Sequence, residues 1–199
     1  MTKDLRICFV GDSFVNGTGD PEKLGWTGRF AATLEARDPA LEITHYNLGI
    51  RRNTSSDIRE RWLRECEARL VDGDEHWVIF SFGVNDTVIE NDALRVPVAQ
   101  SVINVREILA DARERYNVCF IGPPPVEDDV HNQRIRALDL LYAECCRSLD
   151  VPYLSVVEQV LQAPVWKEEV ASNDGAHPRA EGYRLLAGLI TEWDHWPEQ

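Results

Sequence analysis

Positive charge is scarce in this sequence. Lys and Arg number 21 against 34 Asp and Glu in 199 residues, a formal net charge of −13. Phosphate backbones and anionic lipid repel such a surface, so no nucleic acid and no acidic membrane is expected as a partner. No apolar run is long enough for a membrane span. Met1-Thr2-Lys3-Asp4 leads straight into a strand-like segment, without the apolar stretch of a signal peptide, and a cytoplasmic protein is expected. Metal-ligand spacing is also missing. Cys8, Cys66, Cys119, Cys145 and Cys146 include no CxxC pair and no Cys/His cluster. Their odd number fits free, mostly buried thiols in a reducing compartment. His45, His76, His131 and His195 share no ligand spacing, and HExxH is absent. Gly11 to Gly19 does not give GxGxxG, which argues against a dinucleotide site. Neither a cofactor nor a metal is therefore expected. Repeats, low-complexity tracts and linkers are absent too, so residues 1–199 read as one domain.

What is present is ordinary globular chemistry, with 44% hydrophobic and 28% charged residues. A chain of this length buries roughly 70% of the surface it exposes when unfolded, enough for a core without disulfides. Short apolar runs alternate with longer segments of helical period. Strands are expected at Leu5–Val10, Glu42–Asn47, His76–Phe82, Asn117–Ile121 and Val151–Leu154. Helices are expected at Trp26–Arg37, Thr54–Leu70, Val98–Tyr116, His131–Leu149 and Ala180–Trp193. The helix beginning at Thr54 has capping-box spacing, with Asp57 in place of Glu or Gln. Alternating strands and helices imply parallel βαβ units in an α/β fold, a three-layer α/β/α sandwich. The near-continuous hydrophobicity of the strands says that both sheet faces are covered.

In open parallel sheets, ligands sit beyond the carboxyl ends of the strands. Those ends here are Gly11-Asp12-Ser13, Leu48-Gly49, Gly83-Val84-Asn85 and Gly122-Pro123. A hydroxyl is a poor nucleophile until a base accepts its proton, so Ser13 needs an imidazole in reach; otherwise it is a turn serine. Asp174 and His177 stand three residues apart in a Gly-containing turn before the last helix. That spacing lets the carboxylate hold the Nδ1 side of the ring and leaves the other nitrogen to meet Ser13. An Asp-Gly turn beside an incidental His is the alternative. Backbone N–H groups of Gly49 and Ser13, with the Asn85 side-chain amide, would give three donors for a tetrahedral oxyanion. Asn85 taken alone reads more readily as a turn residue.

Together these stretches resemble the SGNH hydrolases, also called GDSL-type lipase/acylhydrolases. Gly11-Asp12-Ser13-Phe14 looks like the family's nucleophile block and Asn47-Leu48-Gly49 like its glycine block. Gly83-Val84-Asn85-Asp86 looks like its Gly-x-Asn-Asp block, and Asp174-Gly175-Ala176-His177-Pro178 like its Asp-x-x-His block. The four run in family order across nearly the whole chain. The resemblance implies a flavodoxin-like sandwich with a five-stranded parallel sheet. It implies Ser13 as nucleophile, Asp174 and His177 as its triad partners, and Ser13, Gly49 and Asn85 as the oxyanion hole. Phe14 departs from the family's Leu, a change of packing below the serine. Position 15 is Val, so the Gly-x-Ser-x-Gly elbow of α/β-hydrolases is not present.

The implied activity is that of a serine esterase cleaving small carboxylic esters through an acyl-enzyme on Ser13. A carbohydrate deacetylase or acyltransferase with the same triad, and a non-catalytic flavodoxin-like binding domain, are the rival readings. Asp12 and Asp86 read as structural acceptors, while Asn53 and Thr54 read as turn and cap residues. The loops Phe14–Trp26, Ile50–Asn53, Thr87–Pro97 and Pro123–His131 would set specificity. Trp26 is a candidate wall of the acyl pocket or a core residue. Arg51 and Arg52 are candidates for an anionic substrate or for salt bridges, and Pro123-Pro124-Pro125 is a candidate rigid rim. The loops are short for a lipid lid, which favours a small-molecule ester. Trp193 and Trp196 either pack the last helix down or contribute to a homodimer contact.

Overall fold

The computed structural model describes residues 2–195. Strand β1 (Lys3–Gly11) leads through one helical turn, α1 (Ser13–Asn16), into α2 (Gly25–Arg37) and β2 (Leu41–Gly49). Helix α3 (Ser55–Glu67) and β3 (Glu75–Ser81) follow. A 3-10 turn (Asn85–Thr87) then precedes two short strands, β4 (Ile89–Glu90) and β5 (Ala93–Leu94). The chain continues through α4 (Val98–Ala112), β6 (Asn117–Ile121), α5 (Asp129–Ser148) and β7 (Tyr153–Leu154). It closes with α6 (Val157–Leu161), α7 (Pro164–Ala171) and α8 (Ala180–Thr191).

The main sheet has five parallel strands in the order β2-β1-β3-β6-β7, flanked by helices on both faces. Strand order reverses at β1, whose neighbours are β2 and β3, so a crevice opens at the carboxyl ends of β1 and β3. Alternation along β1 explains the unbroken apolar run. Leu5, Ile7 and Phe9 join the core under α2, α7 and α8, while Cys8 and Val10 join the core under α3, α4 and α5. Trp26 is fully buried with its ring edge-on to Phe9 at 5.4 Å, so it belongs to the core and not to an acyl pocket. Burying an aromatic of this kind contributes roughly 1.5–3 kcal/mol. All five cysteines are unpaired and buried.

Several elements differ from expectation for identifiable reasons. Only Tyr153–Leu154 joins the sheet as β7, because Pro152 has no N–H to donate and contributes only its carbonyl, to Phe120 N at 2.9 Å. Helix α5 begins at Asp129 because the Asp128 carboxylate accepts from His131 N at 2.5 Å and caps it. Helices α6 and α7 and the β4–β5 hairpin occupy stretches assigned no element from sequence. Asn91 and Asp92 take the left-handed backbone, with φ of 50° and 62°, that a two-residue hairpin turn requires. The capping box at Thr54 and Asp57 is present. Trp193 packs against the core and stacks on His195 at 4.7 Å, while Trp196 lies outside the described residues. Among the described residues no helix is long and apolar enough to cross a membrane.

Candidate active site

The register of β1 sets Gly11 beside both Gly49 of β2 and Ser81 of β3, so three strand ends stop at one level. Helix α1 lies directly across the end of β2. A Cβ at Gly49 would collide with the Asn16 backbone, so only glycine lets the turn carrying Ser13 sit this low. Asp12 caps that turn, its Oδ1 accepting from Phe14 N at 2.9 Å. Ser13 is therefore the first residue of α1, where its N–H has no acceptor within the helix.

The turn between α7 and α8 brings the other partners. His177 Nε2 stands 2.7 Å from Ser13 Oγ, across 164 residues of chain. Its Nδ1 stands 2.8 Å from Asp174 Oδ2. Asp174 Oδ1 also accepts from His177 N at 2.8 Å and Ala176 N at 3.1 Å, so one carboxylate shapes the turn and orients the ring. Burial raises the Asp174 carboxyl, but these donors outweigh it and hold the group below its ordinary value. Ser13 and His177 are buried at 6% and 8% exposure, whereas the Asp174 side chain is 44% exposed. The Phe14 ring lies against the imidazole at 4.9 Å and stacks on Trp166 at 6.3 Å. An imidazole bonded in this way can take the hydroxyl proton as Oγ attacks an electrophile.

Three residues fix the turn. Asn173 Nδ2 donates to His177 O at 3.0 Å, and Glu127 N donates to Gly175 O at 2.9 Å. Glu169 of α7 accepts from Arg179 N, Glu181 N and Gly182 N at 2.8, 3.2 and 2.7 Å, which caps α8 immediately after His177.

The remaining candidates divide. Asn85 lines the same cleft as Ser13 and His177; its Nδ2 donates to Asn53 O at 3.0 Å and to Asp12 Oδ2 at 3.3 Å. Gly49 ends β2 next to α1, but its N–H donates to Asn47 Oδ1 at 3.0 Å. Asp12 is fully enclosed, and burial pushes its carboxyl up to about 7, with the Phe14 N–H opposing and the Asp86 charge adding. Asp86 accepts from Ser55 N at 2.8 Å and from Ser101 Oγ, tying the Asn85 turn to α3 and α4. Burial raises its carboxyl as well. Both aspartates thus sit behind the cleft as acceptors.

The cleft has a volume of about 480 Å³. Phe14, Val84, Val88, Val126 and Ala176 form its apolar walls, and Asn85, Glu127, Asp128 and His131 its polar ones. Glu127 and His131 were not singled out from sequence, and no local signal marks them. The His131 ring bonds Thr87 Oγ1 through Nε2 at 2.9 Å; burial, then the Arg134 charge, pull its pKa below the ordinary value. Pro123–Pro125 are buried beneath the cleft, with Pro125 O accepting from Trp166 Nε1 at 3.1 Å, so the rim is formed by Val126–Asp128 instead. Arg52 pairs with Glu90 at 2.8 Å.

A sequence model of the GDSL-like lipase/acylhydrolase family matches residues 9–185. An uncharacterized Bacillus subtilis protein, YpmR, is 30% identical over 82 residues, 41% of this chain. The match spans about a third (32%) of that relative's length. Among solved structures, a lipase/acylhydrolase from Enterococcus faecalis is similar with a TM-score of 0.74 and 22% identity, covering 96% of this chain and 94% of that one. An acetylxylan esterase from Geobacillus stearothermophilus aligns with a TM-score of 0.77 at 18% identity, over 98% and 97% of the two chains. A lipolytic G-D-S-L family protein from Veillonella parvula does so with 0.77 at 16%, over 96% and 98%. At such identities these likenesses carry the fold.

Proposed function

The chain belongs to the GDSL-like lipase/acylhydrolase family, and from that premise we propose that it is a serine esterase acting on small carboxylic esters, with Ser13, His177 and Asp174 as its triad. The observation that carries this reading is the pair of bonds made by one imidazole, 2.7 Å to Ser13 Oγ and 2.8 Å to Asp174 Oδ2. Ser13 Oγ attacks the ester carbonyl while His177 Nε2 accepts its proton. The tetrahedral oxyanion is met by the N–H of Ser13 and the amide of Asn85. The N–H of Gly49 joins them when it exchanges its bond to Asn47 for the oxyanion. Collapse breaks the bond to the alkoxide leaving group, which takes the proton from His177. Water, deprotonated by the same ring, then releases the acid from Ser13.

An acetylated carbohydrate is the second substrate reading. The polar wall of Asn85, Glu127, Asp128 and His131 favours it, since a sugar needs hydrogen-bond partners that a fatty chain does not. The acetylxylan esterase similarity supports it as well. The five buried, unpaired thiols support a reducing, cytoplasmic setting.

Covalent labelling with a fluorophosphonate, together with turnover of p-nitrophenyl acetate, tests the assignment. Wild type is expected to label at Ser13 and to turn over; Ser13→Ala is expected to do neither. Persistent turnover by Ser13→Ala would remove Ser13 as nucleophile. Esters of increasing acyl length, run beside acetylated sugars, then separate the two substrate readings.

A further inference from the structure

We propose that Arg95 is a positioning residue for hydrolysis, its guanidinium fixing and polarising the Asn85 carboxamide so that an amide N–H points at the substrate oxyanion. This rests on the esterase reading above and adds a residue to it that none of the four sequence blocks contains.

Arg95 follows β5 and is held there by its own backbone, its N–H donating to Val88 O at 2.9 Å. The side chain is only 16% exposed and reaches back across the hairpin toward the cleft. Nη1 donates to Asn85 Oδ1 at 3.2 Å and Nη2 donates to Arg52 O at 2.9 Å. Nε stands 3.7 Å from the Glu90 carboxylate, which also pairs with Arg52 at 2.8 Å. Both ends of the Asn85 carboxamide are therefore specified. Its oxygen faces a cation, and its nitrogen faces the Asn53 carbonyl at 3.0 Å and the Asp12 carboxyl at 3.3 Å.

Rotating that amide by half a turn would set NH₂ against a guanidinium and oxygen against two acceptors. Arg95 thus excludes the orientation in which Asn85 would present an oxygen to a developing anion. A cation on the carbonyl oxygen also draws electron density from the amide and makes its N–H a stronger donor, an effect enhanced where water is excluded. The N–H facing Asp12 makes the longer of the two bonds, so it is the one for which an oxyanion competes at least cost.

A purely structural Arg95 would tie the hairpin to the loop after β2 and nothing more. The two roles separate in a double-mutant cycle on p-nitrophenyl acetate, with Arg95→Met, Arg95→Lys, Asn85→Ala and the Arg95→Met/Asn85→Ala pair, each accompanied by a melting temperature. Arg95→Met is expected to lower kcat by about ten- to a hundred-fold with KM within about twofold. In the Asn85→Ala background the same change is expected to cost less than about threefold, because the amide it acts on is gone. Arg95→Lys, which keeps the charge and one donor in an intact fold, is expected to recover part of kcat. Additive losses, a change confined to KM, or an unchanged kcat in Arg95→Met would each overturn the proposal. Wild type that neither turns over nor labels at Ser13 would instead overturn the esterase reading, and this inference with it.

Discussion

Exchanging the Asp174 carboxylate for an amide probes the site most sharply, because the structure says which oxygen does what. Oδ1 accepts the backbone N–H groups of Ala176 and His177, at 3.1 and 2.8 Å, and Oδ2 faces the ring Nδ1 at 2.8 Å. In Asp174→Asn the amide oxygen stays on the two backbone donors, so the turn survives. Its NH₂ then occupies the Oδ2 place and donates to Nδ1. The ring is forced into the tautomer that carries its proton on Nε2, and that nitrogen can no longer accept from Ser13. In a serine protease with a buried carboxylate, this same exchange lowers kcat by about 10⁴. Asp174 is 44% exposed, and water competing for the ring weakens the enforcement of the wrong tautomer. A loss of about 10²–10³ is therefore expected, or about 2.7–4 kcal/mol of transition-state stabilisation. The assays are steady-state hydrolysis of p-nitrophenyl acetate and the rate of fluorophosphonate labelling, which should fall together while circular dichroism stays unchanged. Turnover within threefold of wild type, with the fold intact, would refute the orienting role. The carboxyl titrates below its ordinary 3.8, because the backbone and ring donors outweigh burial. Its stabilising contribution is thus complete above that value and is lost only as pH falls through the lower folded one.

Two further outcomes are expected. Asn85→Ala should lower kcat by about 10²–10³, the usual loss for a side-chain oxyanion donor, and a loss under threefold would take Asn85 out of the hole. Burial raises Asp12 from 3.8 to about 7, so its stabilising contribution is complete below 3.8 and is lost as pH rises through 7. Asp12→Asn, compared with wild type by urea unfolding, should therefore gain stability by on the order of 4 kcal/mol between pH 4 and pH 8; an equal gap at both pH values would contradict this.

The sheet was legible because strands covered on both faces must be apolar at nearly every position, as Leu5 to Val10 are. Helices α6 and α7 were not, since five and eight residues carry too little periodicity, although Pro164 at the first turn of α7 is a start signal that could have been used. Ser13, Asp174 and His177 were readable as candidates because a strand end and a local Asp-x-x-His spacing dictate where they sit, and the structure brings all three together. Arg95 and His131 were not, for a lone charged or polar residue outside a motif looks like a solvated one until tertiary packing points it somewhere. The proline run was misplaced for the opposite reason. Stiffness suggests a rim, but the three prolines are buried instead, with the Pro125 carbonyl accepting from Trp166 Nε1. Gly49 was readable as a strand-end backbone donor, yet no pattern shows that Asn47 would take up its N–H.

The division of labour among these elements follows from chain entropy. Asp174 and His177 lie within one turn, so their mutual geometry is set locally, and Asn173, Glu127 and Glu169 lock that turn from three sides. Ser13 is set locally by the Asp12 cap and seated by Gly49 at the end of the adjacent strand β2. The cleft therefore needs one long-range alignment between two preformed pieces, and the packing of α8 beside α2 on one face of the sheet supplies it. Asn85 is the exception. Its amide is placed by Asp12, Asn53 and Arg95, from three separate loops. A site assembled in this way should lose the placement of the Asn85 amide before it loses the Ser13–His177–Asp174 bonds when the loops after β2 and β3 are loosened. Fluorophosphonate labelling and ester turnover need not decline together under mild denaturant, since the first leans on a nucleophile held by one rigid turn and the second on that turn and a three-loop clamp together.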